Sequence, residues 1–145
     1  MRAIALDVGD KTIGVAVSDA LLISANGITT IERIGIKKDC DKVLELAKQN
    51  SCEMIVMGLP LMLSGEDSPQ TTKVREFVTL LENKLRSSGL SKVKVVFQDE
   101  RFTTKMSEAV LMQAGVRREN RKQYVDKMAA QIILQSYMDA NPRTM

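Results

Sequence analysis

Residues 2–8, Arg-Ala-Ile-Ala-Leu-Asp-Val, read as a buried strand that ends in an acid. Gly9-Asp10-Lys11 is hairpin-turn chemistry, and Thr12 to Ser18 is the partner strand. Gly9 and Gly14 mark tight turning and close backbone approach. Ile28-Thr29-Thr30-Ile31 makes a third strand. From Asp39 to Asn50 the period changes to that of a helix, with Val43, Leu46 and Ala47 on one face. Met54 to Met57 is a short buried strand running into Gly58-Leu59-Pro60. A loop follows to Ser68-Pro69, an N-cap with proline in the first helical turn. Val74, Phe77, Val78, Leu81 and Leu85 form the inner stripe of that helix, and Gly89 stops it. Val93 to Phe97 is another strand. A short helix bearing Met106, Ala109 and Val110 ends at Gly115. Asn120 with Gln123 is a capping-box signal for a last helix, whose stripe is Val125, Met128, Ala129, Ile132, Ile133 and Ser136.

The order is three strands, two αβ units and two helices. An antiparallel meander followed by αβ units predicts an α/β fold, a mixed sheet with helices on both faces. Sites in such folds gather at the carboxyl ends of the strands. The pattern predicts one domain over residues 1–139 and a tail over 140–145.

Composition narrows the chemistry. The 145 residues contain no His. That excludes Ser-His-Asp and Cys-His catalysis, histidine bases and His-ligated zinc. Cys40 and Cys52 stand in no metal or redox spacing and read as reduced thiols of a cytoplasmic protein. No apolar run reaches membrane-spanning length. The net charge of +3 is unevenly spread: residues 1–72 carry 7 basic and 10 acidic side chains, residues 73–145 carry 14 and 8. The second half therefore predicts a basic face.

Carboxylates fall at core positions in three places. Asp7 closes the first strand, Asp99-Glu100 follows the strand 93–97, and Asp126 sits one residue off the stripe of the last helix. Each alone has a plainer role as a turn, cap or helix-dipole residue. Together, without histidine, they suggest a hard-metal site of oxygen ligands.

The stretch Ala5-Leu6-Asp7-Val8-Gly9-Asp10-Lys11-Thr12-Ile13-Gly14-Val15-Ala16-Val17-Ser18-Asp19 resembles the signature of the YqgF family. Gly58-Leu59-Pro60-Leu61 with Gly65, Asp99-Glu100-Arg101-Phe102-Thr103-Thr104, and Val125-Asp126-Lys127-Met128-Ala129-Ala130 with Ile133-Leu134-Gln135 resemble its later motifs, in order. The loop after Leu61 reads Met-Leu-Ser-Gly, where the family usually has Asn-Met-x-Gly. The resemblance implies an RNase H-like fold, a five-stranded mixed sheet with the first strand central, akin to bacterial Holliday-junction resolvases. It implies a divalent-metal nuclease that matures the 5′ end of precursor 16S rRNA in the cytoplasm. Carried over by motif, Asp7, Glu100 and Asp126 are the catalytic acidic triad. A homodimer is implied by the resolvase relatives.

Phosphodiester hydrolysis needs an activated water, charge relief and help for the leaving oxygen. Two Mg²⁺ or Mn²⁺ about 3.5–4 Å apart supply all three, without a histidine base. Asp99 or Glu100 is the middle ligand; Glu100 is preferred for its longer reach. Arg101 holds a carboxylate or a phosphate. Lys11 places a cation at the hairpin turn, or is a solvated turn lysine. Arg75 reaches backbone phosphate, or is a surface arginine. Thr103 and Thr104 cap a helix or meet phosphate. Arg117, Arg118, Arg121 and Lys122 make a basic approach to Asp126 that suits a nucleic acid, precursor rRNA or branched DNA. Five aromatics and no Trp leave base stacking a minor role. A sugar-kinase-like ATPase would need two such lobes, for which the chain has no room. A catalytically silent nucleic-acid-binding module of the same fold is the third reading, and metal-dependent cleavage separates it from the first.

Overall fold

The computed structural model describes residues 2–99 and 118–141. Strands β1 (Arg2–Val8) and β2 (Thr12–Ser18) occupy the spans their sequence predicts. The Gly9–Lys11 turn joins them, with the Gly9 N–H donating to Thr12 O at 2.9 Å. β3 (Ala25–Glu32) extends well beyond its apolar centre. α1 (Ile36–Gln49) opens before Asp39, because Gly35 is its N-cap and Asp39 is engaged elsewhere. β4 (Cys52–Leu59) leads through the loop to α2 (Pro69–Ser87). Here Ser68 and Thr71 form a reciprocal capping box: Thr71 N–H donates to Ser68 Oγ at 3.2 Å, and Ser68 N–H to Thr71 Oγ1 at 2.9 Å. Gly89 ends the helix with φ +75°, letting Leu90 N–H reach back to Leu85 O.

β5 (Lys94–Asp99) runs further than its apolar residues suggest and pairs through Asp99. The last described helix is α3 (Arg118–Ala140). Its backbone is already helical at Arg118, so Asn120 with Gln123 is an interior pair and not its cap. The short helix expected around Met106 to Gly115 lies outside the described residues.

The five strands form one sheet in the order β3-β2-β1-β4-β5. β1 is central, antiparallel to β2 and parallel to β4. Alternation then sorts each strand onto two faces. Ile4, Leu6 and Val8 join Ile13, Val15, Ile55 and Met57 under α1 and α2, with Val43, Phe77 and Leu81. Ala3, Ala5, Ala16 and Val56 lie under α3, against Ala130, Ile133 and Leu134. The alanines keep that face thin, so α3 lies close on the sheet. The sheet-facing stripe of α3 is also one position off the predicted one. Ala129, Ala130, Ile133, Leu134 and Met138 are buried, while Ser136 is exposed.

Candidate metal centre

Asp7 continues the Ala3–Ala5 series, so it stands on the α3 face near the carboxyl end of the central strand, half-buried. Its partner across the β1–β2 pair is Gly14. One step past the last β1–β4 pair, Leu6–Met57, Asp7 comes level with Gly58. Gly14 pairs in turn with Thr30, and Gly58 with Gln98. The row across this face therefore reads Thr30, Gly14, Asp7, Gly58, Gln98. The only carboxylate in the row has a residue without a side chain on each side. Both glycines are buried, so the sheet floor beside the carboxylate is backbone without side chains. Thr30 Oγ1 is buried with no hydrogen-bond partner among the described residues.

Helix α3 crosses the same face at a height its glutamines fix. Gln135 Oε1 accepts from Ala25 N–H at 3.1 Å, and Gln131 Oε1 from Gly27 N–H at 3.1 Å. Those two contacts match the rows of Ser18 and Ala16. Four helical residues rise about 6 Å, close to the about 6.7 Å of two strand residues. One further turn toward the N-terminus brings the backbone near position 127 level with Asp7. Position 126 precedes Ala130 by one turn and falls on the sheet-facing stripe. The offset between the sequence-derived and observed stripes is what brings it there.

β5 divides the two candidate middle acids. Val96 packs on the α3 side and Val95 on the α1/α2 side. Phe97 shares the face of Val95, where its ring meets the Arg75 guanidinium of α2 at 5.7 Å. Asp99, two residues on and still in the strand, falls on that face, away from Asp7. Glu100, Arg101, Thr103, Thr104 and Arg117 lie outside the described residues. Arg118, Arg121, Lys122 and Asp126 are carried by α3; as side chains they too lie outside the described residues. Among the described residues no three His, Cys, Asp or Glu side chains meet as a metal-binding group.

The remaining candidates have definite surroundings. Lys11 is exposed in the hairpin turn, where its carbonyl accepts from Arg33 N–H at 2.9 Å. Arg75 makes a two-pronged pair with Asp67, Nε to Oδ2 at 2.8 Å and Nη2 to Oδ1 at 3.0 Å. That bond raises the Arg75 pKa and lowers that of Asp67.

Residues with no sequence signal hold the turn after Asp7. Arg33 Nη1 donates to Gly9 O at 2.8 Å and Arg33 Nε to Asp39 Oδ2 at 2.9 Å. Its guanidinium lies 5.6 Å over the Phe77 ring. From the other side Gln70 Nε2 donates to Val8 O at 3.1 Å. The end of β1 is thus tied to both α1 and α2. One clue was available: Asp39 precedes Val43 by one helical turn, an acid on the inner stripe.

Residues 1–140 match the model of the family described as RuvX, Holliday junction resolvase. The chain belongs to the RuvX family. RuvX is the YqgF family of the sequence motifs. Among curated RuvX relatives, a protein of Clostridium novyi named "Putative pre-16S rRNA nuclease" is 44% identical over 140 residues, 97% of this chain and 99% of that protein. One of the same name from Caldanaerobacter subterraneus is 45% identical over 141 residues, 97% of each. Among solved structures, the Fowlpox virus resolvase with Holliday junction DNA superposes with TM-score 0.61 at 16% identity, covering 99% of this chain and all of that one. Thermus thermophilus RuvC with a Holliday junction substrate gives 0.58 at 12%, covering 98% and 96%. At those identities the likeness establishes the fold, RNase H-like α/β. No described helix of this RuvX chain is long and apolar enough to cross a membrane.

Proposed function

We propose that the chain is a metal-dependent nuclease that hydrolyses phosphodiester bonds in precursor 16S rRNA, with Asp7, Glu100 and Asp126 as its catalytic acids. The observation that carries this is the placement of Asp7. It stands between two glycines on the α3 face, level with position 126 of the helix that crosses it. Family membership, together with relatives named for a pre-16S rRNA nuclease, supports the substrate.

The donor chemistry fits a hard dication. The chain has no His, and both thiols lie in the core cluster on the opposite face. Burial pushes Cys40 and Cys52 up to about 11, so neither offers a thiolate. Oxygen donors alone favour Mg²⁺ or Mn²⁺. Bound there, such ions supply an activated water and charge relief at the phosphoryl group. Asp7 supplies an anionic oxygen from a rigid central strand. Asp126 is carried by α3, at a position on its sheet-facing stripe. Supporting Glu100 over Asp99 is the β5 alternation, which sets Asp99 on the face away from Asp7. Arg117, Arg118, Arg121 and Lys122 attract the polyanion, and Lys11 and Arg101 are further cations for its phosphates. The Asp67 pair leaves Arg75 a role in shaping the loop before α2 ahead of contacting phosphate. Action in the cytoplasm and as a homodimer belong to the same reading.

The test is cleavage of precursor 16S rRNA and of a synthetic four-way DNA junction side by side, in Mg²⁺, in Mn²⁺ and in EDTA. Metal-dependent cleavage of the rRNA at its 5′ end supports the proposal. Cleavage of the junction alone replaces the substrate with branched DNA. Binding without cleavage in any metal leaves a silent binding module.

A further inference from the structure

The edge strand β3 is closed along half its length and open along the other half. Gln131 and Gln135 of α3 accept from the outward N–H groups of Gly27 and Ala25, and Gln135 Nε2 donates to Ile23 O at 3.1 Å. A bulge at Ile28 then breaks the register. Beyond it Arg33 N–H bonds Lys11 O toward β2, so alternation turns the N–H and C=O of Thr30 and Glu32 outward. Among the described residues nothing pairs with them.

Beside the open stretch lies a groove of about 750 Å³ between β3 and α1. Ile28, Ile31, Ile34 and Leu46 line it, and Ile34 is 75% exposed. Lys38 and Lys42, one helical turn apart, stand on its α1 wall. Asp39, the acid between them, is spent on Arg33, and Glu32 on the β3 side is the other acid of the lining, against two lysines.

We infer that the Ile28–Glu32 edge of β3 and the groove beside it are a docking surface for an extended acidic segment of another protein, added to the sheet as a sixth strand. The outward backbone groups fix the extended form of the ligand. The isoleucines and Leu46 take its alternate apolar side chains, and Lys38 and Lys42 its acids. A second copy of this chain fits worse: the same lysines would meet themselves, in a chain of net charge +3. An uncovered edge is normally blunted along its length. Among the described residues, α3 covers this one over Ala25 and Gly27, the bulge interrupts it at Ile28, and the backbone groups of Thr30 and Glu32 beyond have no partner.

The test pans a random twelve-residue peptide phage library against the full chain. Enriched sequences are expected to alternate apolar with acidic residues. The best, made as a synthetic peptide, is expected to slow amide exchange at Thr30 and Glu32 at least tenfold. Lys38→Glu with Lys42→Glu is expected to weaken it at least tenfold. Thr30→Pro, which removes one outward N–H and leaves the β2 ladder intact, is expected to abolish it. No enrichment, enrichment of sequences without acids, or protection away from β3 overturns the inference. So does a concentration-dependent dimer that Thr30→Pro dissociates, which would assign the edge to a second copy.

Discussion

Arg33→Met keeps most of the side chain's length and removes its charge. In the native protein the Asp39 carboxylate is 1% exposed and accepts from Arg33 Nε at 2.9 Å and Ile34 N–H at 3.1 Å. The variant leaves it with the amide alone. Removing one partner of a buried ion pair costs about 3–5 kcal/mol. Arg33 is 19% exposed, so water reaches the pair and the lower end applies. The Gly9 O bond adds about 1 kcal/mol, and the contact over Phe77 about 0.5–1 kcal/mol. Met packing on the same ring restores part of this, leaving about 3 kcal/mol. For a chain of 145 residues that lowers Tm by about 10 °C. The assay is thermal unfolding of wild type, Arg33→Met, Asp39→Asn and the double variant. Because Asp39→Asn removes the stranded charge, it should cost far less in the Arg33→Met background than in wild type. A Tm within about 2 °C of wild type, or two additive losses, would refute the buried-pair account. Cleavage by Arg33→Met at a temperature where it stays folded should show a lowered kcat, since Gly9 O is the anchor of the turn after Asp7.

Both cysteines carry a pH prediction. Their folded values near 11 lie above the ordinary 9.0, because burial disfavours the thiolate. Their contribution to stability is complete below about 9 and is lost as pH rises toward 11, so Tm should fall across that window and Cys40→Ala with Cys52→Ala should flatten the fall. At pH 8 a thiol reagent should modify native protein at least a hundredfold more slowly than unfolded protein; equal rates would contradict the burial. Replacing Arg117, Arg118, Arg121 and Lys122 with Ala should reduce the slope of log affinity against log salt by about 0.7–0.9 per lost phosphate contact. An unchanged slope removes that cluster from the interface.

Much of the fold is legible in the chain because the central strands are apolar on both faces. β1 and β2 read as unbroken runs bounded by turn residues, and their ends coincide with the observed ones. β3 is an edge strand, and its first residues, Asn26 and Gly27 among them, carry no strand signal of their own. β5 continues into polar Gln98 and Asp99, where only pairing with Gly58 and Leu59 marks strand. That continuation matters for the site: with β5 ending at Phe97, alternation says nothing of Asp99, and through Asp99 it assigns a face. The stripe of α3 differs from the sequence reading for a related reason. Val125, Met128 and Ile132 make an apolar stripe, but the alanine-lined sheet takes the thinner side of α3, around Ala130 and Leu134. The Arg33–Asp39–Gly9 tie joins a strand end, a helix and a turn, and only tertiary packing brings them together.

The most direct test is Asp7→Asn, with Tm measured in EDTA and cleavage in Mg²⁺ on one sample. Asn preserves the shape of Asp7 and removes its charge. As a ligand grouped with the other acids, Asp7 is repelled by them in the metal-free protein. Its neutralisation should then leave Tm in EDTA unchanged or raised, while cleavage falls by at least a hundredfold. A structural acceptor at the strand end gives the opposite pairing, a loss of about 1–3 kcal/mol with activity falling only as far as the protein unfolds. A stable Asp7→Asn protein that cleaves like wild type would contradict the metal centre outright.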